Sequence, residues 1–216
     1  YDIVMVGHFS KDIIDVKGCR FASKGGGIYY ASYVISKLGF KSAVITRISQ
    51  SDVKLLDDLR ALGIDLYISY SNSTSSIENL YLPDMNGRIT RLISFAGPFS
   101  IRDIPDNIKW DTLMVIPVIA GEVNLELLRY LRKRTNGTLA LDIQGFIRVP
   151  ERSNLVYKPL EDEIKEEILS LVDILKMDDV ESRVLTGYND IRKAALSIAN
   201  YGVKEVVITS KEALLV

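Results

Sequence analysis

The sequence predicts an α/β fold with a mainly parallel central sheet covered by helices, and two patterns carry that prediction. Short β-rich apolar runs recur at residues 3–6, 42–46, 112–116, 138–141, 172–175 and 205–209. Helical periodicities fall between them, over 28–38, 53–62, 125–134, 161–171 and 191–200. Continuous apolar runs mark strands buried on both faces, and strands alternating with helices make βαβ units.

Two stretches break the alternation. Residues 13–23 read as a short hairpin turning at Lys17-Gly18, and residues 77–95 as a second one turning at Asp84-Met85-Asn86-Gly87. Asn-Gly supplies the positive φ angles that a tight turn requires. The two hairpins are either plain surface excursions or a small lid sheet over a cleft, because ligands bind at the carboxyl ends of parallel strands and the first hairpin leaves from that end. No repeat or linker divides the chain, so 1–216 reads as a single domain.

Composition narrows the partners. Of 216 residues, 47% are hydrophobic and 25% charged, with a formal net charge of −1. Such a chain has no electrostatic reason to bind nucleic acid or an anionic membrane. No apolar run approaches the ~20 residues of a membrane span, and a lone cysteine, Cys19, fits a reducing compartment. The expectation is a cytoplasmic protein.

Several loops at strand ends carry chemistry. Gly7-His8-Phe9-Ser10-Lys11-Asp12 follows the first strand, where the Asp12 carboxylate either accepts hydrogen bonds from ligand hydroxyls or is merely solvated. His8, the only histidine, lacks any nucleophile or metal-ligand spacing around it, so a packing or supporting role is the better reading. Lys24-Gly25-Gly26-Gly27 opens a helix, and is either plain loop chemistry or a stretch of bare backbone whose amides are free for a ligand. The glycines match neither a dinucleotide fingerprint nor a Walker loop.

Further along, Asp142-Ile143-Gln144 and Arg148 follow one strand, and Lys176-Met177-Asp178-Asp179-Val180-Glu181 follows another. Asp178 and Glu181 suit either helix capping or a hydrated Mg2+ on phosphates. The last strand ends in Thr209-Ser210, whose hydroxyls would meet a phosphate.

In this order and spacing, the pieces resemble the PfkB/ribokinase family of carbohydrate kinases, with Gly7 to Asp12, Gly25-Gly26 before a helix ending in Leu38-Gly39, and Lys176 to Glu181 followed by Leu185-Thr186-Gly187 as the matching segments. The short first hairpin and the opening motif look most like the inositol-kinase-like and archaeal branches. The chain departs from the family at Tyr30, where asparagine is common, at Asp178, which replaces an asparagine, and after Thr209, where the family's glycine-bearing loop is missing.

The resemblance implies a ribokinase-like three-layer α/β/α sandwich with a small β lid at about 13–23 and 77–95. It implies an ATP-dependent kinase that transfers the γ-phosphoryl group to a hydroxyl of a sugar, polyol or nucleoside. Asp12, Gly25, Gly26, Tyr30, Tyr81, Arg91 and Arg148 would hold the acceptor; Lys176, Asp178, Thr209 and Ser210 the nucleotide; Asp178 and Glu181, through water, the Mg2+. Arg88 is a further candidate on the second hairpin. The family's base is the aspartate of a Gly-Ala-Gly-Asp motif, and no Gly-x-Gly-Asp occurs in these residues, so the base is expected beyond Val216. Homodimers through the lid are common in the family. The alternative is a non-catalytic sugar- or nucleotide-binding module derived from a truncated or degenerate kinase.

Overall fold

A computed structural model describes residues 1–83, 87–211 and 213–216. In chain order the elements are β1 (Ile3–Val6), β2 (Ser10–Val16), β3 (Cys19–Gly25), α1 (Gly27–Lys37) and β4 (Ser42–Ser49). A 3-10 stretch (Gln50–Leu56) then runs into α2 (Asp57–Ala61), followed by β5 (Asp65–Ser71), β6 (Ser76–Tyr81), β7 (Arg88–Ser94), β8 (Thr112–Val115) and α3 (Leu125–Arg134). The rest comprises β9 (Thr138–Asp142), α4 (Gln144–Ile147), β10 (Arg148–Glu151), β11 (Asn154–Tyr157), α5 (Asp162–Leu171), β12 (Ile174–Asp178), α6 (Asp179–Thr186), α7 (Ile191–Ala199), β13 (Glu205–Thr209) and β14 (Leu214–Leu215).

The strands form two sheets. The main one has eight strands in the order β14-β13-β12-β9-β8-β1-β4-β5, all parallel to their neighbours except β14. Its central strands are buried on both faces, as the continuous apolar runs require. Val4, Val6, Ala43 and Ile45 pack in one cluster with Leu127 and Leu131 of α3, Ile168 of α5 and Ile198 of α7. Met5 and Val44, between them in sequence, point the other way, onto Ile28 and Ile35 of α1 and Leu59 of α2. Each such side chain stabilises the fold by about 1.5–3 kcal/mol on burial, and together they fix helices on both sides of the sheet. Among the described residues no helix is long and apolar enough to cross a membrane.

The second sheet has six strands in the order β10-β11-β7-β6-β2-β3. Both expected hairpins are in it. The first turns at Lys17 (φ 53°) and Gly18 (φ 83°), pairing Val16 with Cys19, but its strands extend to Ser10 and Gly25. The second pairs β6 with β7; of its expected turn, Asp84, Met85 and Asn86 lie outside the described residues.

Several features differ from the sequence reading, among them these. A third hairpin, β10–β11, completes the small sheet; its reversal at Arg152-Ser153 lacks a glycine, and Arg152 itself adopts φ 55°. An edge strand, β5, was not expected, because its polar, tyrosine-bearing run is only half buried. The strand expected at 172–175 lies at Ile174–Asp178, so Lys176 and Asp178 belong to the strand itself rather than to the loop after it. Val172 instead closes α5.

Candidate active site

The site lies at the carboxyl ends of β1, β9, β12 and β13, beneath the second sheet. A cavity of about 690 Å³ runs from Tyr81, Arg88 and Thr90 of the small sheet, past Arg148 and Tyr157, to Asp178, Thr209, Ser210 and Lys211. Register explains the pairing at the far end: Asp178 sits opposite Thr209, and Lys176 opposite Asp142.

Beside the cavity-lining Arg88 and Arg148, which act on the Asp12 carboxylate, Asp12 and Ser10 lie on one face of β2, two residues apart, as strand alternation dictates. Ser10 is fully buried beside the Asp12 carboxylate. Burial raises the Asp12 carboxyl above its usual range, against the opposing pull of Ser10 and Arg148.

The backbone opposite is glycine by necessity. A Cβ at Gly25 would lie 2.2 Å from Asp12 Oδ2, and one at Gly26 would lie 2.3 Å from the His8 carbonyl oxygen, at a φ of 88°. Gly25 and Gly26 therefore let the carboxylate and the chain after β1 come close.

Other expected acceptor residues divide. Paired residues on neighbouring strands share a face, so Ile77, Asn79 and Tyr81 of β6 face the same way as Leu92, Thr90 and Arg88 of β7. Tyr81, Arg88 and Thr90 of this face line the cavity, together with Ile89 from the other face of β7. Arg148 is buried, donates from Nε to the Val118 carbonyl at 2.9 Å and also lines the cavity.

Two of the expected acceptor residues lie away from the cavity lining. Arg91 pairs with Glu78 on the opposite face, at 3.4 Å, beside the Arg20–Glu78 ion pair. Tyr30 is 58% exposed on α1, and its hydroxyl donates to the Lys24 carbonyl at 3.1 Å rather than reaching the cavity.

At the far end, Asp178 caps α6 in a reciprocal pair with Glu181: Asp178 Oδ1 accepts from the Glu181 amide and Glu181 Oε2 from the Asp178 amide, both at 2.7 Å. Glu181 is fully buried, and its other oxygen accepts from Gln144 Nε2 at 2.9 Å. Burial, with Asp142 and Asp178 nearby, raises its carboxyl. Lys176 Nζ meets Asp142 Oδ2 at 3.0 Å; burial alone would lower its pKa, but Asp142 and Glu181 outweigh it and keep the ammonium charged. The Ser210 amide donates to the Ala213 carbonyl at 2.8 Å, closing the loop after β13.

His8 is buried between Phe95 and Phe99, and burial lowers its pKa to about 3, so it stays neutral.

Sequence reasoning passed over Ser10, Asn79, Thr90, Glu122 and Tyr157. Ser10 was legible from its two-residue spacing to Asp12. Tyr157 was hidden with the unforeseen third hairpin.

No family model matches the chain. Among solved structures, a pyrophosphate-dependent kinase in the ribokinase family, complexed with a pyrophosphate analogue and myo-inositol, is 36% identical with a TM-score of 0.88, over 96% of this chain and 72% of that one. The chain belongs to the ribokinase family. A second member, a pyrophosphate-dependent myo-inositol-1 kinase converted into a myo-inositol-3 kinase by replacing an asparagine and a serine with leucine, is also 36% identical, with a TM-score of 0.87 over 96% and 70% of the two chains. A cytidine kinase of Thermococcus kodakarensis is 28% identical over 98% of this chain and 73% of its own. The main sheet and its helices are thus the ribokinase-like α/β fold, and the kinases that share it give this family member its class: a phosphotransferase.

Proposed function

We propose that this ribokinase-family protein transfers a phosphoryl group from a polyphosphate donor to a hydroxyl of a cyclic polyol, myo-inositol being the first acceptor to test. The observation that carries this reading is the Ser10–Asp12 pair on one face of β2, Ser10 fully buried, with the cavity-lining Arg88 and Arg148 acting on the Asp12 carboxylate. Two oxygen acceptors spaced along one strand suit neighbouring hydroxyls of a ring. Burial of such groups favours a hydroxylated ligand over an apolar one, which would leave them unsatisfied.

The small sheet acts as a lid in this reading. Tyr81, Arg88 and Thr90 cover the acceptor and exclude water, which would otherwise compete for the phosphoryl group. Donor phosphates lie toward Thr209, Ser210 and Lys211, with Lys176 behind them. Gly25 and Gly26 bring backbone amides alongside the acceptor.

Among the described residues no group of three His, Cys, Asp or Glu side chains is arranged to hold a metal directly. Glu181 is spent on the helix cap, so a Mg2+ at this site would keep its waters and be held by Asp178 and the donor phosphates. Such an ion neutralises charge on the transferred group. ATP is the donor expected from the wider family. Pyrophosphate is the donor supported by the 36%-identical neighbour and by the absence of a glycine in residues 209–213.

One finer point concerns which hydroxyl reacts. In the converted inositol kinase the two replaced residues, an asparagine and a serine, are eleven positions apart. Asn79 and Thr90 here have the same spacing, pair across β6 and β7, and are joined by a hydrogen bond of 3.1 Å from the threonine hydroxyl. We assign them the choice of acceptor hydroxyl.

The test is turnover of the complete gene product with Mg2+ and either pyrophosphate or ATP, across myo-inositol, cytidine and ribose, followed by phosphorus NMR. A phosphomonoester of myo-inositol is expected. Binding of myo-inositol without any product would support the non-catalytic module instead, and no binding by any acceptor would overturn both.

A further inference from the structure

Glu122 is a buried carboxylate that the acceptor and donor contacts above do not use. It is fully buried in the loop after β8, at the same end of the sheet as the site. Its Oε1 accepts from the His8 amide at 2.6 Å, and its Oε2 from the amides of Val118 at 2.8 Å and Ile119 at 3.3 Å. Both oxygens are thus spent on backbone.

The backbone it holds is the support of Arg148. The Val118 amide donates to Glu122, while the Val118 carbonyl accepts from Arg148 Nε at 2.9 Å. The Arg148 carbonyl in turn accepts from the Ala120 amide at 2.9 Å. One residue, Val118, is therefore gripped from its two sides by the two charged groups. The third amide, that of His8, opens the segment leading into the strand that carries Ser10 and Asp12.

We propose that Glu122 is a positioning residue, which fixes the 118–120 segment so that Arg148 is aimed into the cavity beside Asp12. The proposal rests on the acceptor-site reading of Asp12 and Arg148. A carboxylate suits the task because it offers only acceptors, and all three of its partners are donors. Glutamine at the same place is nearly isosteric but brings an NH2 group against amide donors, so the grip on Val118 or His8 must open.

The experiment compares wild type with Glu122→Gln, Arg148→Lys and the double variant. In the wild type, the Arg148 Nε–H resonance is expected to exchange slowly with water; in Glu122→Gln, protection should fall about tenfold or more. Acceptor KM should rise about tenfold with kcat changed less than about threefold, and the double variant should be little worse than Arg148→Lys alone. An Arg148 resonance equally protected in a folded Glu122→Gln protein, or KM effects that simply multiply, would overturn the proposal.

If Glu122→Gln does not fold, the wild type gives the reading. Burial pushes the Glu122 carboxyl up to about 7, and protonation removes one acceptor position. The Arg148 Nε–H signal should then shift through about pH 7, and should still do so in Asp12→Asn. His8, the titratable neighbour at 3.5 Å, is neutral throughout this range, and Arg148 remains charged. A flat signal overturns the proposal. Because these resonances need no turnover, a protein that phosphorylates nothing would refute the kinase reading while leaving this test decisive.

Discussion

Gly25 and Asp12 occupy one space between them: the carboxylate of Asp12 stands where a side chain at Gly25 would begin, 2.2 Å from an ideal Cβ. Gly25 is thus required by the residue across the hairpin, since Ser10 pairs with Gly25 and Asp12 with Ser23.

Gly25→Ala should therefore displace Asp12. The expected outcome is a rise in acceptor KM of about tenfold or more and a stability loss of about 1–3 kcal/mol from overpacking. Gly18→Ala is the control. It sits at the hairpin tip with φ 83° and open space around it, so it should cost about 1 kcal/mol of stability and leave KM alone. Equal effects of the two on KM would show that the glycine matters only as flexible chain.

Asp12→Asn should separate binding from stability. Burial holds the native Asp12 carboxyl above its usual range, so ionising it opposes folding. That cost is absent below the unfolded pKa of about 4 and is felt in full once pH has risen through the raised native value. The amide variant should thus have a higher thermal midpoint at neutral pH, with the gain vanishing in acid. Acceptor affinity should fall about 10- to 100-fold through loss of a charged hydrogen bond. A variant that is less stable at pH 7 yet binds normally would contradict both assignments.

The parallel sheet was legible because burial on both faces writes itself as continuous apolar runs, as in Ile3–Val6 and Glu205–Thr209. The first hairpin was legible because Lys17-Gly18 is turn chemistry. The third was not, because Arg148-Val149-Pro150-Glu151 mixes a buried arginine with a proline and turns without glycine. Asp178 and Glu181 were legible as an acidic helix start. Only the fold commits Glu181 to the cap and to Gln144, which leaves Asp178 to face the cavity. Glu122 carried no periodic signal at all: its role comes from amides 114 and 4 residues away.

Asp173 should prove a stabilising clamp remote from the site. It joins Arg132 at the end of α3, Lys204 before β13 and the Leu139 amide in β9. Burial alone would raise its carboxyl, but these three partners outweigh it and hold it at about 2. A lowered carboxyl pKa contributes stability that is present above the unfolded value of about 4 and is lost as pH falls toward 2. Asp173→Asn should lower stability by roughly 2 kcal/mol at pH 7, or roughly 4–8 °C in thermal midpoint, and flatten the acid limb of the stability profile. Kinetic constants should not move.

Arg88 and Arg91 are three residues apart on one strand, and an odd separation puts them on opposite faces. Arg88 lines the cavity and acts on the Asp12 carboxylate, whereas Arg91 reaches Glu78 outside, with its side chain 43% exposed. Such a half-exposed pair contributes about 0–1 kcal/mol. Arg91→Ala should accordingly keep KM for both substrates within about twofold and cost less than about 1 kcal/mol in a urea titration. Arg88 is itself exposed, yet Arg88→Ala should raise the KM of at least one substrate by about threefold to tenfold, because it removes a cation that lines the cavity and acts on the Asp12 carboxylate. If Arg91→Ala were the damaging change, the inner face of the small sheet would have to be reassigned, and with it the direction from which the acceptor is covered.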